Sequence, residues 1–445
     1  MKNRNPLSRR NFIKTSAAAT AGLTFALSAK SYGRILGAND RLNVAVVGMH
    51  GRGKALLRGI ATVANSQVSY LCDVDSRVLE EAAGLAEKAT GSRPKLEKDI
   101  RKILDDKEVD AIMIAAPDHW HAPMSLMALK AGKHVYVEKP CGHNPREGEM
   151  LVEAQLKYGR VVQMGNQQRS APTSMEAVQM IRDGAIGTPY LGKAWYANTR
   201  GSIGIGKMAA IPEWLDFELW QGPAPRREYQ DNLVHYNWHW FWHWGTGEIC
   251  NNGTHEIDIC RWALGVDYPN RVKSTGGRYH YRDDDWEFYD TQMAHFEFEG
   301  GKTIIWEGLS CNGLKYFDRG RGAIIQGTEG SILLDRNGYI HYDKGGKVIK
   351  EVKENRRSAT TNTVGAGALD TYHIQNFADA IRAGAQQYSP IDEGHKSVLL
   401  CHLGNIAQKL GTELVTDTKT GRVMNHKQAK ALWGREYEPG WEMVV

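Results

Sequence analysis

Residues 42–53 read Leu42-Asn43-Val44-Ala45-Val46-Val47-Gly48-Met49-His50-Gly51-Arg52-Gly53. An apolar run stops at a glycine, and a helical pattern through Ala61 follows at once. A short buried strand, a glycine turn and a helix open a doubly wound α/β sheet. A full G-x-G-x-x-G fingerprint needs glycines at 48, 50 and 53. Here His50 takes the second place and Gly51 follows it. The next strand ends at Asp73, 25 residues beyond Gly48. That is where a carboxylate holds the ribose hydroxyls of a dinucleotide. Gly48, Gly51 and Gly53 let the backbone approach a pyrophosphate, and the helix start carrying His50 and Arg52 offers N–H donors. Asp73 favours NAD over NADP, because it repels a 2′-phosphate; Arg77 offsets this if it reaches back. Asp75 reads as the cap of the next helix. On this motif alone, a plain strand–turn–helix with no ligand stays open.

Working outward, residues 42–136 alternate short apolar strands with helical patterns, including 77–89 and 97–104. A helix over 147–158 and a strand over 161–164 complete the series. The pattern predicts an N-terminal Rossmann domain over 40–165, built on a parallel doubly wound sheet. After residue 166 the texture changes. Segments 190–198, 271–281, 290–299 and 302–310 alternate partly, as in Met293-Ala294-His295-Phe296-Glu297-Phe298. They predict a C-terminal α/β domain over 166–445 with an open, mainly antiparallel sheet. Helices are expected near 174–183, 252–264, 369–383 and 395–410, and a long loop over 354–367. Neither repeats nor a low-complexity linker separate the halves, so they read as fused.

The chain has 445 residues, 42% apolar and 24% charged. Those values exclude wholesale disorder, collagen-like, coiled-coil and multi-span membrane classes. The net charge of +5 is concentrated at one end. Residues 1–33 hold Lys2, Arg4, Arg9, Arg10, Lys14 and Lys30 and no acid; without these six charges the rest stands at −1. A near-neutral body carries no footprint for nucleic acid or an anionic membrane. Cys72, Cys141, Cys250, Cys260, Cys311 and Cys401 form no C-x-x-C pair and read as small apolar residues.

Residues 8–14, Ser-Arg-Arg-Asn-Phe-Ile-Lys, precede a weakly apolar run from Ala17 to Ala29. Ala26, Ser28 and Ala29 suit a signal peptidase. The segment 1–33 looks like a twin-arginine export signal, which implies a periplasmic protein. It is too short and too rich in Ala, Thr and Ser to span a bilayer stably. The competing reading is a basic amphipathic first helix.

The fourth strand runs into Ala115-Ala116-Pro117-Asp118-His119-Trp120-His121, and the fifth into Val137-Glu138-Lys139-Pro140. With these motifs the sequence resembles the glucose–fructose oxidoreductase/inositol dehydrogenase (Gfo/Idh/MocA) family over essentially the whole chain after the signal. The resemblance implies that Glu138-Lys139-Pro140 places Lys139 beside nicotinamide and substrate, often before a cis proline. It implies that Pro117 and His121 line the cofactor, and leaves His119 between a site and a solvated loop. A second family motif, D-x-x-x-H at a helix start, here reads Asn251-Asn252-Gly253-Thr254-His255. By that match His255 is the acid/base and Asn251 stands for the usual aspartate; Asp258, three residues beyond His255, is a candidate to orient it. An asparagine can hydrogen-bond a hydroxyl but cannot act as a base. His255 as a buried structural histidine remains the alternative.

Between these motifs lies Tyr236-Asn237-Trp238-His239-Trp240-Phe241-Trp242-His243-Trp244. Sugar rings pack C–H faces on aromatic rings, so Trp238, His239, Trp240 and His243 are candidate substrate contacts, with Arg169 or Asn166 at the domain crossover. A hydrophobic plug, a subunit contact or a paired strand fits the same pattern. His239 and His243 suit a metal only on a helix, so no metal is expected. Three functions compete. The first is an oxidoreductase with tightly bound NAD(H) acting on a sugar, polyol or glycoside hydroxyl. The second is an NAD-dependent glycoside hydrolase that works by transient oxidation and elimination. The third is a non-enzymatic sugar-binding protein. A homo-oligomer, dimer or tetramer, is expected.

Overall fold

The computed structural model describes residues 41–354, 367–424 and 426–445. The export signal and most of the 354–367 loop lie outside the described residues. Both sheets belong to one compact unit, Asn43–Val445.

The first sheet has six parallel strands in the order β3-β2-β1-β4-β5-β6: β1 (Leu42–Val47), β2 (Ser66–Cys72), β3 (Lys95–Glu97), β4 (Ala111–Ile114), β5 (His134–Val137) and β6 (Val162–Met164). The strand order reverses between β1 and β4, and ligands bind at such a crevice beyond the carboxyl ends of the strands. The local chemistry explains the boundaries. Helix α1 (Gly51–Ile60) follows the glycine turn directly. Asp75 caps α2 (Ser76–Thr90) by accepting from Arg77 N, and Gly91 ends it at φ +72°. Helix α3 (Asp118–Lys130) starts after Pro117. Asn144 caps α4 (Pro145–Tyr158), with Pro145 in the first turn and Gly159 closing it at φ +60°. The helix expected over 97–104 is shorter, Ile100–Leu104, because β3 runs to Glu97 and Asp99 caps the helix one residue before Ile100.

The second sheet has nine strands in the order β14-β13-β12-β11-β7-β10-β9-β8-β15. They are β7 (Pro189–Ala197), β8 (Arg271–Gly277), β9 (Thr291–Phe298), β10 (Lys302–Leu309), β11 (Arg321–Gly327), β12 (Gly330–Asp335), β13 (Gly338–Asp343), β14 (Val348–Lys353) and β15 (Leu414–Val415). Every neighbouring pair is antiparallel except β7 and β10. One face is covered by α5 (Thr254–Leu264) and α7 (Ile391–Leu410); helix α6 (Ala368–Ala383) packs on α1. Strand alternation follows from that cover: Gln292, Ala294 and Phe296 are buried, and Met293 and His295 between them are exposed. Helix α7 joins the two halves. Its Ile391 and Val398 belong to the core of the parallel sheet, and its Leu399, Leu403 and Ile406 to the core of the larger one. At Gly394 an added Cβ would lie 2.9 Å from that of Met164, so the helix rests almost directly on β6.

Candidate active site

The glycine turn after β1 shows why these residues are glycines. Gly48 has φ +83°, and a Cβ there would lie 2.5 Å from the carbonyl oxygen of Ala115. A Cβ on Gly53 would lie 1.7 Å from the oxygen of Gly48, so α1 seats against the strand end only with glycine at that position. Gly51 has open space instead. His50 makes no side-chain cap, so the first N–H groups of α1 stay open toward the cleft. Asp73 accepts from Met49 N (2.5 Å) and Asp75 N (2.9 Å). Burial pushes its carboxyl up, while those two amides pull it down. A carboxylate has about four lone-pair sites, so Asp73 can still accept from ribose. This turn and carboxylate fit a dinucleotide.

Two cavities meet here. The larger, about 500 Å³, includes Gly51, Arg52, His121, Glu138, Lys139, Asn251 and His255 in its walls. The smaller contains Gly48, Asp73 and Pro117, and His50 and Trp238 line both. The smaller one is roofed from the other half of the chain by Leu215, Leu219 and Trp220. That roof is stitched to the end of β2. Ser76 N donates to Trp214 O (2.9 Å), Asp216 N donates to Val74 O (3.0 Å), and Asp75 bridges Leu215.

Lys139 follows β5 and precedes a cis proline, Pro140. Its Nζ donates to Asn251 O (2.7 Å) and Asn251 Oδ1 (3.3 Å). Burial lowers the Lys139 ammonium pKa, against the pull of Glu138 and Asp118. Asn251 sits in a π turn, Ile249–Gly253, that runs into α5; such turns recur at functional sites. Glu248 supports it, accepting from Asn252 Nδ2 and from Arg200 Nε (2.6 Å). Although burial raises Glu248, the Arg200 guanidinium holds it below the usual range. His255 is buried, and neither ring nitrogen has a hydrogen-bond partner among the described residues. Burial, then the positive charges of Arg336, Lys139 and Arg321, drive its pKa well down. A neutral imidazole with a free nitrogen can accept a proton.

Several expectations need correction. Arg169 does not face the cleft. It is buried and paired bidentately with Asp258 (2.8 and 2.9 Å). Asp258 therefore holds Arg169 and Ser397, not His255. The reason is local: residues 167–170 form a 3-10 turn, in which successive side chains point about 120° apart. That turn sends Gln167 and Gln168 into the cleft, and Gln167 donates to Glu138 (2.9 Å). A second 3-10 turn, Asn237–Trp240, acts the same way. Trp238 and His239 line the cleft, while Trp240 turns away to stack on Trp286 at 4.1 Å. His243 faces Pro225 O (2.7 Å) instead of the cleft. His119 is fully buried against Trp220 O (2.9 Å), held neutral with a pKa pushed to about 3 by burial, and is no solvated loop residue. His121 faces the carbonyls of Pro140 and Ala116. Glu138 lines the cleft but is tied up by Arg52 (2.7 Å). Arg200, Arg321, Arg336 and Asp370, not anticipated from the sequence, complete the walls. Among the described residues no cluster of three His, Cys, Asp or Glu is arranged to hold a metal.

Comparison with known proteins agrees with this fold. Residues 42–166 match the oxidoreductase-family model for the NAD-binding Rossmann fold, and residues 188–443 match its C-terminal alpha/beta domain. The chain belongs to the Gfo/Idh/MocA oxidoreductase family. Residues 6–26 match the twin-arginine translocation signal, so the family member carries an address for export to the periplasm. No helix among the described residues is long and apolar enough to cross a membrane. A Saccharopolyspora erythraea glycosyl hydrolase family 109 protein is 30% identical over 230 residues, 47% of this chain and 50% of its own. Inositol 2-dehydrogenase 2 of the same organism is 28% identical over 295 residues, 66% of this chain and 73% of its own. The match thus spans about half the length of the first relative. A solved levoglucosan dehydrogenase, complexed with NADH and levoglucosan, superposes with TM-score 0.64 at 19% identity, covering 84% of this chain and 99% of that one.

Proposed function

We propose that this Gfo/Idh/MocA protein is an oxidoreductase that keeps NAD bound through its cycle and acts on a hydroxyl of a sugar, polyol or glycoside. The observation that carries the reading is the convergence of Lys139, Asn251 and a neutral His255, unpartnered among the described residues, on one cleft beside the glycine turn. A nicotinamide bound there supplies the hydride acceptor. The chain's own residues do the rest. Lys139 and Asn251 orient the carbinol oxygen. His255 takes the hydroxyl proton at its free ring nitrogen as the carbon loses its hydride. Trp238 and His239 supply a flat wall for the sugar face. NAD is favoured over NADP because Asp73 and Asp75 both stand at the ribose end. Arg77 is held on Asp75 (2.7 and 3.0 Å) and over the Trp214 ring (3.4 Å), so it is not free for a 2′-phosphate.

The export address supports retention of the cofactor. Twin-arginine passengers fold where NAD is abundant and work where free NAD is scarce. A nucleotide loaded before export and regenerated in place meets both conditions, either through a second sugar or through return of the hydride to the same one. The second route is the glycosidase reading, which the glycosyl hydrolase family 109 relative favours. The uncovered face of the nine-stranded sheet, with Met293 exposed, is where we place association between copies.

Nucleotide released by denaturation is identified first, and a panel of sugars and glycosides is then followed on the bound cofactor. An oxidised sugar with matching NADH supports the dehydrogenase. Free sugar from a glycoside with no net NADH supports the hydrolase. Neither product from any substrate would overturn both.

A further inference from the structure

Five cationic side chains line the larger cleft: Arg52, Lys139, Arg200, Arg321 and Arg336. Three are closed by buried carboxylates. Arg52 donates to Glu138 (2.7 Å) and Asp370 (2.6 Å), Arg200 to Glu248 (2.6 Å), and Arg321 to Glu256 (2.7 and 3.0 Å). Lys139 is satisfied by the oxygens of Asn251. Arg336, in the turn between β12 and β13, has neither an ion pair nor a hydrogen bond among the described residues. The adjacent carboxylate, Asp335, is taken by Arg319 (2.5 Å) and by Asn337 N (2.7 Å). Burial and the nearby Arg321 lower the Arg336 guanidinium to about 10, which still leaves it charged at neutral pH. Arg336 is partly buried, and the carboxylates that act on it through space, Glu256 and Asp370, are already paired with Arg321 and Arg52, so a charge of opposite sign at its open fork would be favoured.

We propose that Arg336 is an oxyanion subsite of the catalytic cleft, and that the physiological substrate is a carbohydrate bearing a carboxylate or an acid ester. The inference rests on the oxidoreductase reading and narrows its substrate class. The planar guanidinium fork suits a two-oxygen anion. Arg336 shares the cleft wall with His255 and Arg321, and Arg321 is further anchored on Asn252 Oδ1 (3.0 Å). A sugar whose reacting hydroxyl lies between Lys139 and His255 therefore presents its anionic substituent to Arg336, which has no partner among the described residues.

The test compares D-glucose with D-glucuronate, D-glucose 6-sulfate and D-glucose 6-phosphate, and D-galactose with D-galacturonate. Binding to the full holoprotein is measured by calorimetry, and redox change on the bound nucleotide by absorbance. In the wild type at least one anionic sugar is expected to bind about tenfold or more tighter than its neutral parent; which one wins tells carboxylate from sulfate or phosphate. The advantage should vanish in Arg336→Gln and return in part in Arg336→Lys. Equal affinity for neutral and anionic partners overturns the subsite, as does no binding by any of them. Loss of bound nucleotide from Arg336→Gln also overturns it, by assigning the guanidinium to the cofactor phosphates. If an anionic sugar binds through Arg336 but the nucleotide never changes redox state, the subsite stands and the oxidoreductase reading fails. If a neutral sugar reduces the nucleotide and an added anion brings no advantage, the reverse holds.

Discussion

Asn251 contacts Lys139 through two uncharged oxygens, and burial already lowers the lysine. An aspartate at 251 would add a negative charge beside the ammonium and favour its protonated form by about 1–3 pKa units. Asn251→Asp should therefore move the basic limb of the kcat/KM profile to higher pH. A limb that stays in place would show that Lys139 is not the titrating group. Lys139→Met and His255→Phe should each lower kcat by about 10²-fold or more and leave the bound nucleotide near one per chain. Full turnover in both would remove them from the mechanism. Arg169 is expected to behave differently. Arg169→Met strands the buried Asp258 carboxylate and should cost about 3–5 kcal/mol of stability, seen in denaturant unfolding, with KM unchanged. Lys139 and His255 stood out in sequence because each falls in a motif of the resembled family, one just after a strand and one at a helix start. Arg169 and Trp240 misled because 3-10 turns place side chains with a period of three, and His243 because the turn that follows carries it to Pro225 O; a sequence of alternating His and Trp reveals neither.

At the level of elements, the parallel sheet was readable because β1, β4, β5 and β6 are buried on both faces and bounded by glycine and cap signals. The meander β11–β14 was not anticipated. Its strands are six or seven residues long, and Ile324-Ile325 and Leu333-Leu334 break the alternation with paired apolar residues. That meander carries Arg321 and Arg336 into the cleft, so missing it concealed two of the five cations of the wall. The roof around Trp214–Gln221 was equally silent in sequence, because its contact with Val74 and Ser76 is a backbone bridge between segments far apart in the chain. It covers the smaller cavity, beside Asp73. Leu215→Ser should open that seam and speed nucleotide loss during dialysis about tenfold. Unchanged retention, by absorbance of the released nucleotide, would show that the roof does not hold the cofactor.

For the molecule as a whole, burial keeps several histidines neutral: His119 at about 3, and His373, His395 and His402 at about 4. The unfolded chain protonates each near 6.5. Below that pH the unfolded state binds more protons than the fold, so stability present at neutral pH is lost as pH falls from about 6.5 toward 4. Each group contributes at most ~1.4 kcal/mol per pH unit in that window. Tm should decline steadily from pH 6.5 to 4.5, and a flat Tm over that range would contradict the neutral histidines.

The central claim is that one cleft exchanges hydride between a carbohydrate hydroxyl and a nucleotide that never leaves. Protein purified after export and dialysed exhaustively, then mixed with the sugar panel at a known nucleotide content, tests it most directly. The account predicts near-stoichiometric nucleotide before mixing. After mixing with donor and acceptor sugars together, or with a glycoside that takes its hydride back, it predicts turnover many times that content without added NAD, abolished in the His255 variant. Empty protein that regains activity only with free NAD, or full nucleotide that no carbohydrate or glycoside engages, would contradict it.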